Sequence, residues 1–78
     1  MEYIETNDSE NFGNFIVGWQ TYYDFDNEKE IYNVFIEYDD DSKYSKVLDI
    51  FESYNENETK KYYKNILKNI KKTNNMGE

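Results

Sequence analysis

The sequence predicts an α+β fold in which a two- or three-stranded antiparallel sheet is followed by two helices packed on one of its faces. Residues 15–38 contain two segments in which β-branched and aromatic side chains alternate along the chain. Residues 43–72 instead repeat apolar side chains every three or four positions, as amphipathic helices do. The 78 residues suffice for a single small domain, 1–78, in which sheet and helices bury each other's apolar surface.

The hairpin over residues 15–38 is the first patterned element. Its first strand, from Phe15 to Tyr23, places these side chains on one face: Phe15, Val17, Trp19, Thr21 and Tyr23. Ile31 to Tyr38 repeats the alternation, and the polar residues 24–30 connect the two strands. Of residues 1–14, those at 2–6 are compatible with an edge strand, and the Asn, Asp, Ser and Gly residues of 7–14 predict a turn.

Two helices are predicted after the hairpin. The first covers about residues 43–54, where one stripe is apolar: Tyr44, Val47, Leu48, Phe51 and Tyr54. A strand over residues 46–51 is the alternative for the same segment. Residues 55–58 offer caps for a second helix that ends near Lys72 and has this apolar face: Tyr62, Tyr63, Ile66, Leu67 and Ile70. Residues 73–78 are polar and predict a frayed tail.

Several missing residue types limit the chemistry available to the chain. It contains no Cys, no His and no Arg, so it lacks the usual nucleophiles, general bases and clamps for anionic transition states. Its three glycines, Gly13, Gly18 and Gly77, form no phosphate-binding loop. We therefore expect no enzymatic activity and no cofactor. The absence of Cys and of an apolar leader predicts the cytoplasm as the location, with no membrane partner. The abundance of Asn, Lys, Ile and Tyr, whose codons are AT-rich, indicates a bacterial host.

A calcium loop is suggested by the alternate carboxylates Asp24, Asp26 and Glu28, but the rest of the segment does not fit one. Lys29 and Phe35 stand where such a loop needs its glycine and its final glutamate. We therefore expect no metal site in this segment.

Charge is strongly polarised along the chain. Residues 1–41 contain twelve Asp or Glu residues and one Lys, whereas residues 59–78 contain six Lys and one Glu. Lysines towards the end of a helix are favoured by its dipole, and a nucleic-acid or membrane-surface role is the alternative for them. The acidic residues form two groups that hairpin geometry places at opposite ends of the sheet: Asp24, Asp26, Glu28 and Glu30; and Glu37, Asp39, Asp40 and Asp41. Dense like charge opposes folding, so either a basic partner uses this field or the carboxylates are only a solvated surface.

Aromatic residues are abundant as well, with nine Tyr, five Phe and one Trp. Such side chains are enriched at the centres of protein interfaces, although in this chain they also serve as core residues. Together with the two acidic groups, Trp19, Tyr22 and Tyr23 are the predicted partner contacts.

These features lead to the hypothesis of a small acidic inhibitor that binds a basic protein, a nucleic-acid-binding enzyme, by imitating DNA or RNA. In size, acidity and AT-rich codon usage the chain resembles small phage-encoded inhibitors such as anti-CRISPR proteins and uracil-DNA glycosylase inhibitors. This resemblance is one of general character and assigns no residue a role. The alternative is an immunity protein, antitoxin or small subunit that binds a basic partner through an aromatic sheet face. No direct contact with nucleic acid is expected, and a homodimer is compatible with both hypotheses.

Overall fold

The computed structural model of the protein describes residues 3–39 and 45–76, which form a four-stranded sheet and one helix. The elements are β1 (Tyr3–Asn11), β2 (Phe15–Asp24), β3 (Lys29–Asp39), β4 (Ser45–Ser53) and α1 (Glu56–Met76). The strands are antiparallel and lie in chain order, so each connection joins adjacent strands. Helix α1 crosses one face of the sheet above β2, β3 and β4. The α+β class is therefore confirmed, but the predicted numbers of strands and helices are wrong.

The hairpin predicted for residues 15–38 is present as β2 and β3. Phe15 lies opposite Tyr38 at one end, and Asp24 lies opposite Lys29 at the other. Because the pairing is regular over this whole length, side chains two residues apart share a face. The hairpin therefore defines a face that contacts α1 and an open face that does not.

The prediction of a first helix over residues 43–54 is wrong. Residues 45–53 form strand β4, and residues 43–44 lie outside the described residues. A β-bulge explains the misleading pattern. Leu48 pairs with Ile36 and Phe51 pairs with Val34, so a spacing of three on β4 matches a spacing of two on β3. An extra residue at Ile50 thus gives a strand the i, i+3 spacing of a helix. The pairing also satisfies the backbone of β3, which is buried at its centre.

Strand β1 corrects the prediction of a turn beginning at residue 7. The strand continues to Asn11, and a bulge at Asn7 shifts its register on β2. β1 is an edge strand whose side chains from Ile4 to Ser9 are all exposed, so it needs no alternation of apolar and polar residues. The turn itself is confined to residues 12–14, where Gly13 has a positive φ of 88° and donates its amide to Asn11 Oδ1 at 2.7 Å.

The predicted second helix is confirmed as α1, although it extends to Met76 instead of ending near Lys72. Asn55 caps its first turn, because Asn55 Oδ1 accepts a hydrogen bond from the amide of Glu58 at 3.0 Å. Thr59, which is completely buried, donates its hydroxyl to the carbonyl of Asn55 at 3.0 Å. The start of α1 is thereby held against the end of β4.

The hydrophobic core lies between α1 and the sheet. Val17 and Val34 at its centre have no exposed surface, and Tyr63 of α1 is only 2% exposed. Around them pack partly buried apolar side chains from the sheet, its turns and the helix: Phe12, Phe15, Ile36, Ile50, Phe51, Tyr62, Ile66, Leu67 and Ile70. Full burial of one such side chain contributes about 1.5–3 kcal/mol, so this single interface supplies most of the apolar stabilisation.

On the open face, side chains lie flat on the sheet and cover one another. The ring of Phe35 lies over Gly18, with its Cζ only 2.6 Å from the position that a Cβ would occupy. Asn33, which is 1% exposed, donates Nδ2 to Asp49 Oδ1 at 2.7 Å. Cross-strand contacts of this kind substitute for a second layer on this face.

We predict that Gly18→Ala lowers the free energy of unfolding by about 1–3 kcal/mol, because the new methyl group meets the Phe35 ring. In a Phe35→Leu background, which removes the clashing ring atoms, the same substitution should cost less. Urea denaturation of the wild type, the two single variants and the double variant measures the coupling between Gly18→Ala and Phe35→Leu.

Gly13→Ala is the matched control: nothing lies within 4 Å of its Cβ position and only its φ of 88° is unfavourable. Its cost should be the same in both backgrounds. If Gly18→Ala costs the same free energy of unfolding in both backgrounds, the Phe35 ring is not what opposes a side chain at position 18.

Candidate functional site

The first acidic group predicted from the sequence lies at the closed end of the β2–β3 hairpin. We call Asp24, Asp26, Glu28 and Glu30 the acidic tip. Asp26, Glu28 and Glu30 are exposed, and Asp24 is partly exposed. The loop between the strands contains only residues 25–28, with Asp24 and Glu30 in the adjoining strand ends. The four carboxylates are therefore confined to a short segment around one turn. The tip therefore presents a concentrated negative field at one end of the sheet.

Asp24 holds the turn in shape. Its Oδ1 accepts hydrogen bonds from the amides of Asp26 at 3.0 Å and Asn27 at 3.4 Å, and its Oδ2 accepts one from Asn27 Nδ2 at 2.7 Å. The pKa of the Asp24 carboxyl is lowered, mainly by the hydrogen bond from the Asn27 side chain. Burial acts in the opposite direction, and the two backbone hydrogen bonds lower the pKa further. Asp24 is thus a structural member of the tip, kept ionised by the turn it stabilises.

Glu28 closes the turn in a left-handed conformation, with φ of 54°. This conformation is unfavourable for a residue with a Cβ, whereas glycine adopts it readily. Glutamate at this position places a charge on the loop at a cost in backbone energy. Among the described residues, Glu28 alone combines a side chain with a positive φ.

An aromatic pair accompanies the carboxylates. Phe25 is 56% exposed, and its ring packs against that of Tyr23 with centroids 4.8 Å apart and an angle of 73° between the rings. Phe25 was not among the predicted contacts. The signal for it in the sequence is one large apolar residue within an otherwise polar connection. A second exposed ring, Tyr54, lies under the ammonium group of Lys29, 5.3 Å from its centroid.

Glu30 connects the tip to the core. It accepts a hydrogen bond from the hydroxyl of Tyr32 at 2.8 Å. This bond, together with burial and the negative charges of Glu30 and Glu56, raises the pKa of Tyr32 to about 12. Glu56, in the first turn of α1, therefore adds its charge to the region beside the tip.

The other predicted contacts are distributed differently. Trp19 is 7% exposed and belongs to the core beneath α1. Tyr22 lies half-buried on the open face and donates its hydroxyl to Glu52 Oε2 at 2.5 Å. Glu37 is half-buried near the far end of β3, and Asp39 ends that strand. Asp40 and Asp41 lie outside the described residues. The structure thus gathers the first acidic group with Tyr23, whereas the described contacts Trp19, Tyr22, Glu37 and Asp39 lie elsewhere.

One lysine near the end of α1 lies at the far end of the sheet from the tip. Lys71 forms an ion pair with Glu10 of β1, with Nζ and Oε1 3.0 Å apart. Burial raises the pKa of the Tyr63 hydroxyl to about 12, and the negative charges of Asp8 and Glu10 add to this effect. Lys71 thus lies beside the carboxylates of β1, at the end of β2 opposite the acidic tip.

No protein-family model, no curated protein and no solved structure matches this chain. Within residues 3–39 and 45–76, no three potential metal ligands are grouped closely enough to hold an ion. No helix in this part of the chain has the length and apolar character needed to cross a membrane. The acidic tip is therefore the feature from which we infer a function.

We predict that Glu28→Gly raises the free energy of unfolding by about 1 kcal/mol, because it removes the strain of a positive φ. Asp26→Gly is the matched control, since it removes the same charge from a neighbouring position whose φ is not positive. It should lower stability, because glycine there only adds freedom to the unfolded chain. Urea denaturation compares both with the wild type. Equal effects of the two substitutions would show that charge, and not backbone conformation, decides stability here.

We also predict that Glu30→Gln lowers the pKa of Tyr32 from about 12 towards its ordinary value of 10.0. Because the folded-state pKa exceeds the unfolded one, this hydroxyl contributes stability below pH 10 that is lost as the pH rises towards 12. NMR titration of ring-labelled tyrosine measures the shift. Tyr63 is the internal control, because its pKa of about 12 arises first from burial and then from Asp8 and Glu10. If Glu30→Gln leaves the pKa of Tyr32 unchanged, the hydrogen bond to Glu30 is not the main cause of its rise.

Proposed function

We propose that the protein is an inhibitor that binds a nucleic-acid-binding protein through the acidic tip, occupying the basic groove that otherwise receives DNA or RNA. The observation that carries this proposal is the rigid turn, in which Asp24 fixes the backbone and Asp26, Glu28 and Glu30 remain exposed. A groove that binds phosphates already presents Lys and Arg side chains, so a fixed set of carboxylates meets complementary charge without reorganisation.

The charge distribution supports the tip over the other surfaces. The carboxylate of Glu10 is paired with Lys71, whereas no ion pair joins any of the four tip carboxylates to a described residue. The chain has a net charge of −8, which opposes direct binding to nucleic acid at long range. A basic protein is therefore the partner whose charge fits this end of the molecule.

The open sheet face supports the alternative, an immunity protein or antitoxin, less well. Phe35 on this face is only 8% exposed and covers Gly18, and Tyr22 is half-buried and bonded to Glu52. Rings that lie flat on their own sheet offer little area for insertion into a partner. The proposal accordingly leaves Trp19 and Tyr22 out of the contact surface and retains Tyr23 beside Phe25.

The test is affinity capture of a partner from a bacterial lysate, followed by kinetic measurements on the purified partner. We expect duplex DNA or RNA to compete with the protein, and affinity to fall steeply with salt. The variant Asp26→Asn/Glu28→Gln should accelerate dissociation by roughly tenfold or more, because the carboxylates contact the partner's cations directly. Glu10→Gln/Glu37→Gln is the matched control, since it removes the same charge from the opposite end of the sheet and should change dissociation little.

Two results would contradict this proposal. If nucleic acid does not compete, the tip does not occupy a nucleic-acid site. If the tip variant slows association while dissociation stays unchanged, the carboxylates only steer the encounter, and the alternative of a binding surface elsewhere is supported.

A further inference from the structure

Phe25 is unusual for a residue in a tight polar turn, because it is both exposed and held in place. More than half of its surface, 56%, is in contact with solvent. Its ring nevertheless has a defined partner in Tyr23, at a centroid distance of 4.8 Å. The backbone on either side is fixed by the hydrogen bonds that Asp24 accepts from Asp26 and Asn27. An exposed ring with a fixed orientation loses little entropy when it binds a partner.

The geometry of the pair leaves a ring face available. At 73° the two rings are nearly perpendicular, so the edge of one meets the face of the other. Tyr23 can therefore cover at most one face of Phe25. The lysine of the same turn does not take this position, because Lys29 lies over the ring of Tyr54.

The chemistry of a free aromatic face beside carboxylates selects a cation. The face of an aromatic ring carries negative charge density and attracts cations. The guanidinium group of arginine is planar and weakly hydrated, so it can stack on the ring while its N–H groups reach a carboxylate. Lysine has a compact, strongly hydrated ammonium group and cannot make both contacts as well. Asp26 and Glu28 supply exposed carboxylates within the same turn.

We propose that Phe25, with Asp26 and Glu28, forms a docking site for an arginine side chain of the partner, the guanidinium stacked on the ring and hydrogen-bonded to a carboxylate. This inference rests on the proposed function and specifies its partner chemistry. Arginine is a principal phosphate ligand of nucleic-acid-binding grooves. The site therefore distinguishes an arginine-rich groove from a merely basic one.

The test uses two defined probes, a short oligo-arginine peptide and an oligo-lysine peptide of equal length and charge. NMR titration of the wild-type protein measures both affinities and follows the ring protons of Phe25. We expect the arginine peptide to bind about threefold more tightly, as for an exposed cation–π contact. Phe25→Leu keeps an apolar side chain but removes the ring, and should bring the two affinities together. Phe25→Trp should maintain the preference.

The matched control is Tyr54→Leu, which removes a second exposed ring that already has the ammonium group of Lys29 over one face. It should leave the ratio of the two affinities unchanged. Because Phe25 and Tyr54 are exposed, both variants should remain folded, and the fluorescence of buried Trp19 verifies this.

The outcomes separate this inference from the proposed function. If both peptides bind and Asp26→Asn/Glu28→Gln weakens them, but Phe25→Leu leaves their ratio unchanged, the arginine site is overturned and the acidic tip stands. If Phe25→Leu weakens both peptides equally, Phe25 is an apolar contact and the arginine site is again overturned. If neither peptide perturbs the tip, both proposals are overturned.

Discussion

The packing of α1 against one face of the sheet is the interaction on which the rest of the structure depends. Val17, Val34 and Tyr63 are buried only because sheet and helix cover each other. The chain has no cysteine with which to form a disulfide, and residues 3–39 and 45–76 contain one hydrophobic core cluster, so the stability of this small domain depends on it. The capping of α1 by Asn55 and the burial of Thr59 fix where this helix begins, and hence how it crosses the strands.

This single interface also determines what the other surfaces must do. The open face has no helix above it, so its residues cover one another, as Phe35 covers Gly18 and the Tyr22 hydroxyl reaches Glu52. Strand β1 lies at the edge of the sheet, beside the three strands that α1 crosses, and its side chains from Ile4 to Ser9 are exposed. Its carboxylates are nevertheless near the lysines of α1, as the pair Glu10 and Lys71 shows. Exposed ion pairs of this kind contribute at most about 1 kcal/mol, but they reduce repulsion within an acidic chain.

The acidic tip lies at the end of the sheet opposite the ion pair of Glu10 and Lys71. Its turn tolerates Glu28 at a positive φ and exposes a large apolar ring at Phe25, both of which are unfavourable for folding alone. Local features that oppose stability are expected where a surface is maintained for binding. The hydrogen bonds to Asp24 make this arrangement rigid, and the proposed imitation of a polyanion depends on that rigidity.

The sequence by itself determined the β2–β3 hairpin, the helix α1 with its cap, and the position of one acidic group at the hairpin turn, because each depends on neighbours along the chain. Tertiary structure alone decided the identity of β4 and the length of β1. The bulges at Ile50 and Asn7 each insert one residue, and this disrupts the alternation of side chains by which a strand is predicted from sequence. It also decided that Trp19 is a core residue and Phe25 an exposed one. Both are aromatic residues of the same hairpin, but Trp19 lies on the strand face that α1 covers, whereas Phe25 lies in the turn beyond the end of β2.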